Sequence, residues 1–355
     1  MLQPFLDLFF NSGTVISLDN GRLLVGFGER QWMKEIEDES KPAFYFPDFF
    51  LKTQTPWFQQ EFCFEVSVAS FLEELCRKID RPCSLKWTPP DSDLFRWGFD
   101  DLQERFSSGE LCKGVPYVFE RTDEILSPAL LHHLLVSLFR SALELPLYCY
   151  GFWENGEGVL GASPELLYRV EKGGGSKLKT VACAGTLGQH ESLEAFKQDP
   201  KELDEHRKVV EGICESLSSY GEVRTGAMEI LDLGTLVHLL TPIEVESAGE
   251  VEYESVVKAL HPTPALGAFP KPEGMKWLMA YQEKADRGRY GAPVGYVRGG
   301  GDEAAFYVAI RGIQWSGEGM AVGAGCGVVP QSEFENEWDE VQRKIRSVKE
   351  VFSLA

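Results

Sequence analysis

Two hydrophobic periods alternate along the chain. Between residues 92 and 107 (SDLFRWGFDDLQERFS), Leu94, Phe95, Phe99, Leu102 and Phe106 fall on one side of a 3.6-residue repeat, which predicts a helix with Ser92 or Asp93 as cap. The same repeat predicts helices over 127–142, 200–218 and 334–352. In 200–218 the apolar stripe runs through Leu203, Val210, Cys214 and Leu217, with Glu202 nearer the core and Glu205 at its margin. In 334–352 it runs through Phe334, Trp338, Val341, Ile345, Val348 and Phe352, and Glu337, Glu340 and Lys344 share one flank. Shorter apolar runs predict strands at 111–121, 146–154, 165–170, 177–183, 226–232, 235–246, 293–298, 305–315 and 319–324. Before residue 90, segments 22–28 and 62–71 are β-like and broken by proline and charged turns. Gly173-Gly174-Gly175 and Gly299-Gly300-Gly301 lie between strand pairs and read as hairpin turns. The first, GGGSK, lacks the residue order of a phosphate loop and leads into no helix. Hairpins interspersed with long helices predict an α+β fold with a largely antiparallel sheet.

Charge narrows the function classes. Asp and Glu number 55 against 35 Lys and Arg, a formal net charge of −20. Such a polyanion is a poor partner for nucleic acid or an anionic membrane surface, so neither is expected. Any anionic substrate must then be met by local cations. No apolar run reaches the ~18 residues of a membrane span. The opening MLQPFLDLFF lacks a basic region and a small-residue cleavage site, so no signal peptide is expected. The 8 cysteines are scattered with no CxxC pair, which argues against zinc and suits buried free thiols in a reducing cytoplasm.

Five places carry possible chemistry. In LCKGVPYVFE, alternation puts Lys113 on a face with Leu111, Val115, Tyr117 and Phe119. Burial there would lower its pKa and suit a general base, although a strand-end lysine reaching solvent is the simpler reading of the pattern. Glu165 sits in a Gly/Pro turn between apolar stretches, where a carboxyl can serve as general acid or be an ordinary turn glutamate. Glu202 and Glu205 on one helix and Glu337 and Glu340 on another would suit Mg²⁺, a hard cation that takes carboxylate oxygens. By spacing alone, solvated helix faces with i,i+4 pairing, Glu340 to Lys344 for example, are the plainer reading. Arg311, in AFYVAIRGIQW, needs a partner if buried and could hold a ligand carboxylate in bidentate fashion or simply pair with an internal acid.

A set of segments then falls into a known order. GASPELL (161–167), ACAGT (182–186), KELDEHRKVV (201–210), LVHLLTPIEV (236–245), LHPTPALGAFPK (260–271), DRGRYGAPVGY (286–296), VAIRGI (308–313) and GCGVVPQSEFENEWDEVQRK (325–344) resemble the chorismate-utilising enzymes. That family includes anthranilate, aminodeoxychorismate, isochorismate and salicylate synthases. The resemblance runs from about residue 105 to the C-terminus, while the N-terminal third matches only by position. HPTPALGAFP has the form of the isochorismate synthases, Lys113 stands where the water-using members have a base lysine, and Ala184 replaces the nucleophilic lysine of aminodeoxychorismate synthase.

The resemblance implies an isochorismate synthase acting on chorismate, in menaquinone or siderophore biosynthesis, cytoplasmic and with no obligatory protein partner. A salicylate synthase or a non-catalytic chorismate-binding paralogue is the alternative. It implies large, mostly antiparallel sheets facing each other with helices outside. Residues 1–90 would be a divergent N-terminal part, and 91–355 the catalytic region of one intertwined domain. Lys113 would deprotonate the attacking water and Glu165 protonate the leaving hydroxyl. Glu205 and Glu340 match magnesium ligands, with Glu202 and Glu337 close by. Thr186, His238, Tyr290, Arg311 and Lys344 match substrate-binding positions, and backbone donors near Gly325 and Gly327 would serve a carboxylate. Three departures stand out: Gly114-Val115-Pro116 after the lysine, Leu187-Gly188-Gln189-His190 after AGT, and Cys326 in place of an alanine.

Overall fold

Polar caps set the helix starts. Asp91, rather than its neighbours Ser92 or Asp93, accepts from Asp93 N and Leu94 N. Ser127 and Asp199 cap two further helices, each with proline in the first turn, where a missing N–H costs nothing. The structure, a computed structural model, describes residues 2–354 apart from Asn20, 78–84, 173–175, 189–191, Thr235, Ala248 and Glu250. The expected Gly173–Gly175 turn and residues Gln189 and His190 therefore lie outside the described residues.

In chain order the helices are α1 (Leu2–Asn11), α2 (Val68–Leu75), α3 (Ser92–Ser108), α4 (Pro128–Glu144), α5 (Leu193–Phe196), α6 (Pro200–Leu217), α7 (Tyr253–Leu260), α8 (Lys271–Gln282) and α9 (Phe334–Val351). The strands of the first half are β1 (Ser12–Ser17), β2 (Arg22–Met33), β3 (Ala43–Tyr45), β4 (Trp57–Ser67), β5 (Lys113–Gly114), β6 (Tyr117–Thr122), β7 (Tyr148–Glu154), β8 (Glu157–Ser163) and β9 (Leu166–Lys172). Those of the second half are β10 (Ser176–Gly188), β11 (Gly221–Thr225), β12 (Glu229–Asp232), β13 (Leu236–Ser247), β14 (Ala268–Phe269), β15 (Pro293–Arg298), β16 (Glu303–Val308), β17 (Gly312–Ser316) and β18 (Gly319–Gly325).

Three expected strands end where local chemistry interrupts them. The run 62–71 divides at Ser67, whose side chain caps α2 by accepting from Ser70 N. The run 111–121 divides at Pro116, so Lys113 lies on the two-residue β5, paired with β14 apart from the main sheet. The run 305–315 divides before Arg311, which takes a left-handed φ of 57°. Gly299–Gly301 form the expected turn between β15 and β16, each with positive φ.

The main sheet has 16 strands, all paired antiparallel, in the order β11-β13-β10-β9-β16-β15-β3-β4-β2-β1-β7-β8-β17-β18-β6, with β12 also on β13. It is one continuous path that folds over, so the facing sheets are its two halves. The ring of Tyr148 on β7 stacks on Tyr307 of β16 at 4.5 Å, and Tyr307 Oη donates to Ser17 O of β1 at 2.8 Å. Between the halves lies a core of alternate strand residues including Ile16, Leu24, Phe44, Phe58, Tyr150 and Tyr296. Their neighbours on the opposite face, such as Val15 and Leu23, pack under the helices. Strands β1–β4, from the N-terminal ninety residues, occupy the middle of the path. Outside the sheet, α6 packs on β10, and α9 reaches from β18 to β10, near opposite ends of the path. The functional cleft lies where those two ends approach.

Candidate active site

Irregularities in otherwise regular strands aim the side chains of this cleft. In β10 a bulge at Gly185, with φ of 80°, shifts the register against β13 and turns Thr186 N toward Glu202 Oε2 at 3.1 Å. Between β16 and β17 the left-handed Arg311 leaves the strand line, and Arg311 NH1 donates to Ser347 Oγ of α9 at 2.8 Å. A non-glycine residue in that conformation is strained, and such strain clusters at functional sites. Glu165 occupies the Pro164 break between β8 and β9. Around the cleft are Glu165, Thr186, Glu205, His238, Tyr290, Arg311, Gly325, Gly327 and Lys344, with about 620 Å³ of atom-free space including its mouth.

Lys113 lies beside this space with 0% exposure. Its surroundings are polar, unlike the apolar face expected from alternation. Nζ donates to Pro264 O at 2.7 Å and pairs with Glu205 Oε1 at 3.2 Å. A Cβ on Gly327 would overlap that Glu205 carboxylate and crowd Lys113 Nζ, so glycine keeps the ion pair possible. Gly325 contributes its carbonyl, accepting from Lys344 Nζ at 2.9 Å.

Glu165 is buried, and burial pushes its carboxyl up to about 7 against the opposing pull of Thr263, Lys113 and Lys344. A carboxyl so placed can carry a proton near neutrality. His238 is held neutral, pushed down to about 3 by burial and then by Arg311 and Lys344. Its Nδ1 lies 2.9 Å from Gly185 O, which requires the proton there, and leaves Nε2 to accept from Arg311 NH2 at 3.1 Å. His238 and Ser347 thus fix the guanidinium from two sides.

The four glutamates of α6 and α9 are all buried, which corrects the expectation that Glu205 lies at the helix margin and rules out solvated faces. Lysines stand among them. Lys201 Nζ is 2.9 Å from Glu202 and 2.7 Å from Glu337, while Lys344 Nζ is 2.6 Å from Glu340. Burial raises Glu202 to about 7 and like charge from Glu205 adds to it. Burial acts on Glu340 the same way, yet Lys344 and Lys201 outweigh it and hold that carboxyl down at about 2. Glu337 has 0% exposure, and neither oxygen makes a well-directed hydrogen bond despite the Lys201 ion pair. Buried, under-engaged carboxylate oxygens suit a hard cation. Among the described residues, no three His, Cys, Asp or Glu side chains already surround one point as a ready cage, so a metal would have to displace the ammonium groups. Seven cysteines among the described residues are free, with Cys76 exposed where burial was expected.

Sequence reasoning missed three participants. Lys201 carries the signal of i,i+4 spacing to Glu205. Thr263 and the Pro264 carbonyl belong to the HPTPA segment, whose contacts with Glu165 and Lys113 cross 98 and 151 residues of sequence and leave no periodic trace.

The profile of a family described as chorismate binding enzyme matches residues 130–353. A salicylate biosynthesis isochorismate synthase from Pseudomonas aeruginosa is 35% identical over 208 residues, covering 55% of this chain and 42% of that protein. The isochorismate synthase MenF of Haemophilus influenzae is 32% identical over 216 residues, covering 58% and 49%. The chain thus aligns with about half the length of the curated relatives it matches. Among solved structures, a putative 2,3-dihydroxybenzoate-specific isochorismate synthase, DhbC from Bacillus anthracis, superposes with a TM-score of 0.76 over 100% of both chains at 20% identity. Anthranilate synthase component I from Streptococcus pneumoniae gives 0.68 over 94% of this chain and 89% of its own at 19% identity, so the fold is common to both reaction types.

Proposed function

Because the chain belongs to the family of chorismate-binding enzymes, we propose that it converts chorismate to isochorismate. Water adds at C2, the ring double bond shifts, and the C4 hydroxyl leaves as water. Lys113, acting as the free amine rather than as the ion-paired ammonium, accepts the proton of the attacking water, and Glu165 gives a proton to the departing oxygen. The observation that carries this reading is the pairing in one cleft of a buried amine with a buried carboxyl pushed up to about 7. Arg311, held by His238 and Ser347, offers its remaining donors to a substrate carboxylate. Together with Lys344 it supplies positive charge at the cleft of a polyanionic chain.

Glu205 and Glu340, aided by Glu202 and Glu337, would hold Mg²⁺, whose chemistry is to neutralise a substrate carboxylate and fix its orientation. The HPTPALGAFP segment and the isochorismate synthases among the relatives support water as nucleophile. Relatives of this kind serve different pathways by name, so menaquinone and siderophore synthesis both stay within the proposal. The decisive experiment incubates the protein with chorismate and Mg²⁺ and identifies the product by chromatography. Isochorismate is expected, and thorough EDTA treatment should abolish its formation. Salicylate with pyruvate, or no turnover at all, would overturn the reading. As an activity-independent check, Mg²⁺ should raise the melting temperature of the metal-stripped protein in a concentration-dependent way.

A further inference from the structure

One loop touches both reacting groups. In residues 261–266, Thr263 Oγ1 donates to Glu165 Oε1 at 3.1 Å, and Pro264 O accepts from Lys113 Nζ at 2.7 Å. The loop is held on three sides. Thr263 O accepts from Leu266 N at 3.0 Å and Gly267 N at 2.8 Å, closing it on itself. His261 Nε2 lies 2.6 Å from Phe49 O, anchoring it to the N-terminal region. Against α6, a Cβ on Gly212 would come within 2.5 Å of Pro264 Cγ, so the helix and loop fit only with glycine there. Thr263 itself has 3% exposure and no role in the set of residues read from the sequence.

We infer that Thr263 is the positioning residue of Glu165: by engaging Oε1 it fixes the carboxyl and leaves Oε2 to carry the proton that is transferred. This rests on the reading of Glu165 as the acid. The other titratable groups facing that carboxyl are Lys113 on β5, Lys344 on α9 and Cys183 on β10. None of these is altered by a change at Thr263. A hydrogen bond donated to a carboxylate favours its charged form, so removing the donor raises the pH at which Glu165 ionises.

Thr263→Val keeps the shape and removes the hydroxyl, while Thr263→Ser keeps the hydroxyl. Two readouts are taken. In the free protein, the Glu165 carboxyl is titrated by infrared difference against Glu165→Gln. In turnover, kcat/KM is followed against pH. Thr263→Val should move the Glu165 midpoint, and the inflection it sets, upward by about 0.5–1 pH unit. It should also lower kcat by roughly tenfold through the freed rotamer, as expected for a misplaced proton donor. Thr263→Ser should restore both. A kcat loss with an unmoved midpoint, or one that serine does not rescue, would overturn the positioning role. If the midpoint moves but the unaltered protein forms no isochorismate, the proposed function fails while the Thr263–Glu165 coupling stands. Should Thr263→Val not fold, the midpoint in Thr263→Ala is read in its place, with the same outcomes deciding.

Discussion

At the scale of single residues, the site depends on burial with incomplete compensation. Lys113 beside the cleft and Glu165 in its wall are both buried, one with an ion-pair partner and the other with a single side-chain donor. Replacing either group removes a proton-transfer partner, so Lys113→Ala and Glu165→Gln should each lower kcat by at least ~100-fold in a steady-state assay. The Lys113→Ala variant also isolates the acid. Glu165 is active when protonated and its carboxyl is pushed up to about 7. Losing the Lys113 charge, which draws this carboxyl down, lets its ionisation move higher, so residual turnover of that variant should hold steady to a pH above 7 and fall about tenfold per unit beyond it. A flat profile would remove Glu165 from the proton-donor role. Residue type alone only flagged this set, since a lysine, an arginine and paired glutamates beside apolar patterns each had a plainer reading; the order of motifs along the chain made them one site. Thr263 was not flagged, because a threonine beside prolines looks like any turn residue until its partner across the fold is known.

Elements carry the next layer. Helices were readable because their caps and stripes are local, and α3, α4, α6 and α9 fall within a residue or two of their periodic patterns. Strand ends were not, and the site is built from strand ends: the Pro116 break and the Arg311 kink each interrupt a run that periodicity carries straight through, and the Gly185 bulge lies just beyond the run expected at 177–183. Short helices α1, α7 and α8 also escaped, their apolar positions being set by packing against the sheet rather than by a long repeat. The loop 261–266 is the element whose anchorage can be tested through pH. His261 is buried and held well below the usual histidine range, down to about 3, by burial despite its contact with Phe49 O. The unfolded chain takes up a proton near pH 6.5 that the folded chain refuses, so this residue's contribution to stability is present above 6.5 and lost as pH falls toward 3. Between pH 7 and pH 5.5 that loss is about 1 kcal/mol. Denaturant melts of His261→Gln at the two pH values should show a pH effect smaller by that amount than in the unaltered protein. An equal pH effect in both would mean the imidazole is not kept neutral by the fold.

The whole molecule is governed by the path of its sheet. Because the path folds over, strands near its opposite ends approach, and α9 spans them with Glu337, Glu340 and Lys344 along one flank. The α+β class and the antiparallel preference follow from hairpins and long helices in the sequence. The order of strands does not, since β3 joins β15 and β1 joins β7 through contacts that no local pattern encodes. For the same reason residues 1–90 carry no readable motif yet supply the middle of the sheet. A chain beginning at residue 91 would lose β1–β4 and leave β15 and β7 with bare edges. It should show no cooperative thermal transition by circular dichroism, whereas a sharp melt would mean that the catalytic region folds without its N-terminal strands.

That central placement also bears on how the protein comes into being. During synthesis β3 emerges early, but its partner β15 follows roughly 250 residues later, which at ribosomal speed is a delay on the order of 10–50 s. Through that interval the aromatic-rich hairpins of β1–β4 must wait with one edge unpaired, so the nascent chain depends on holding factors or on fast closure once its final third is released.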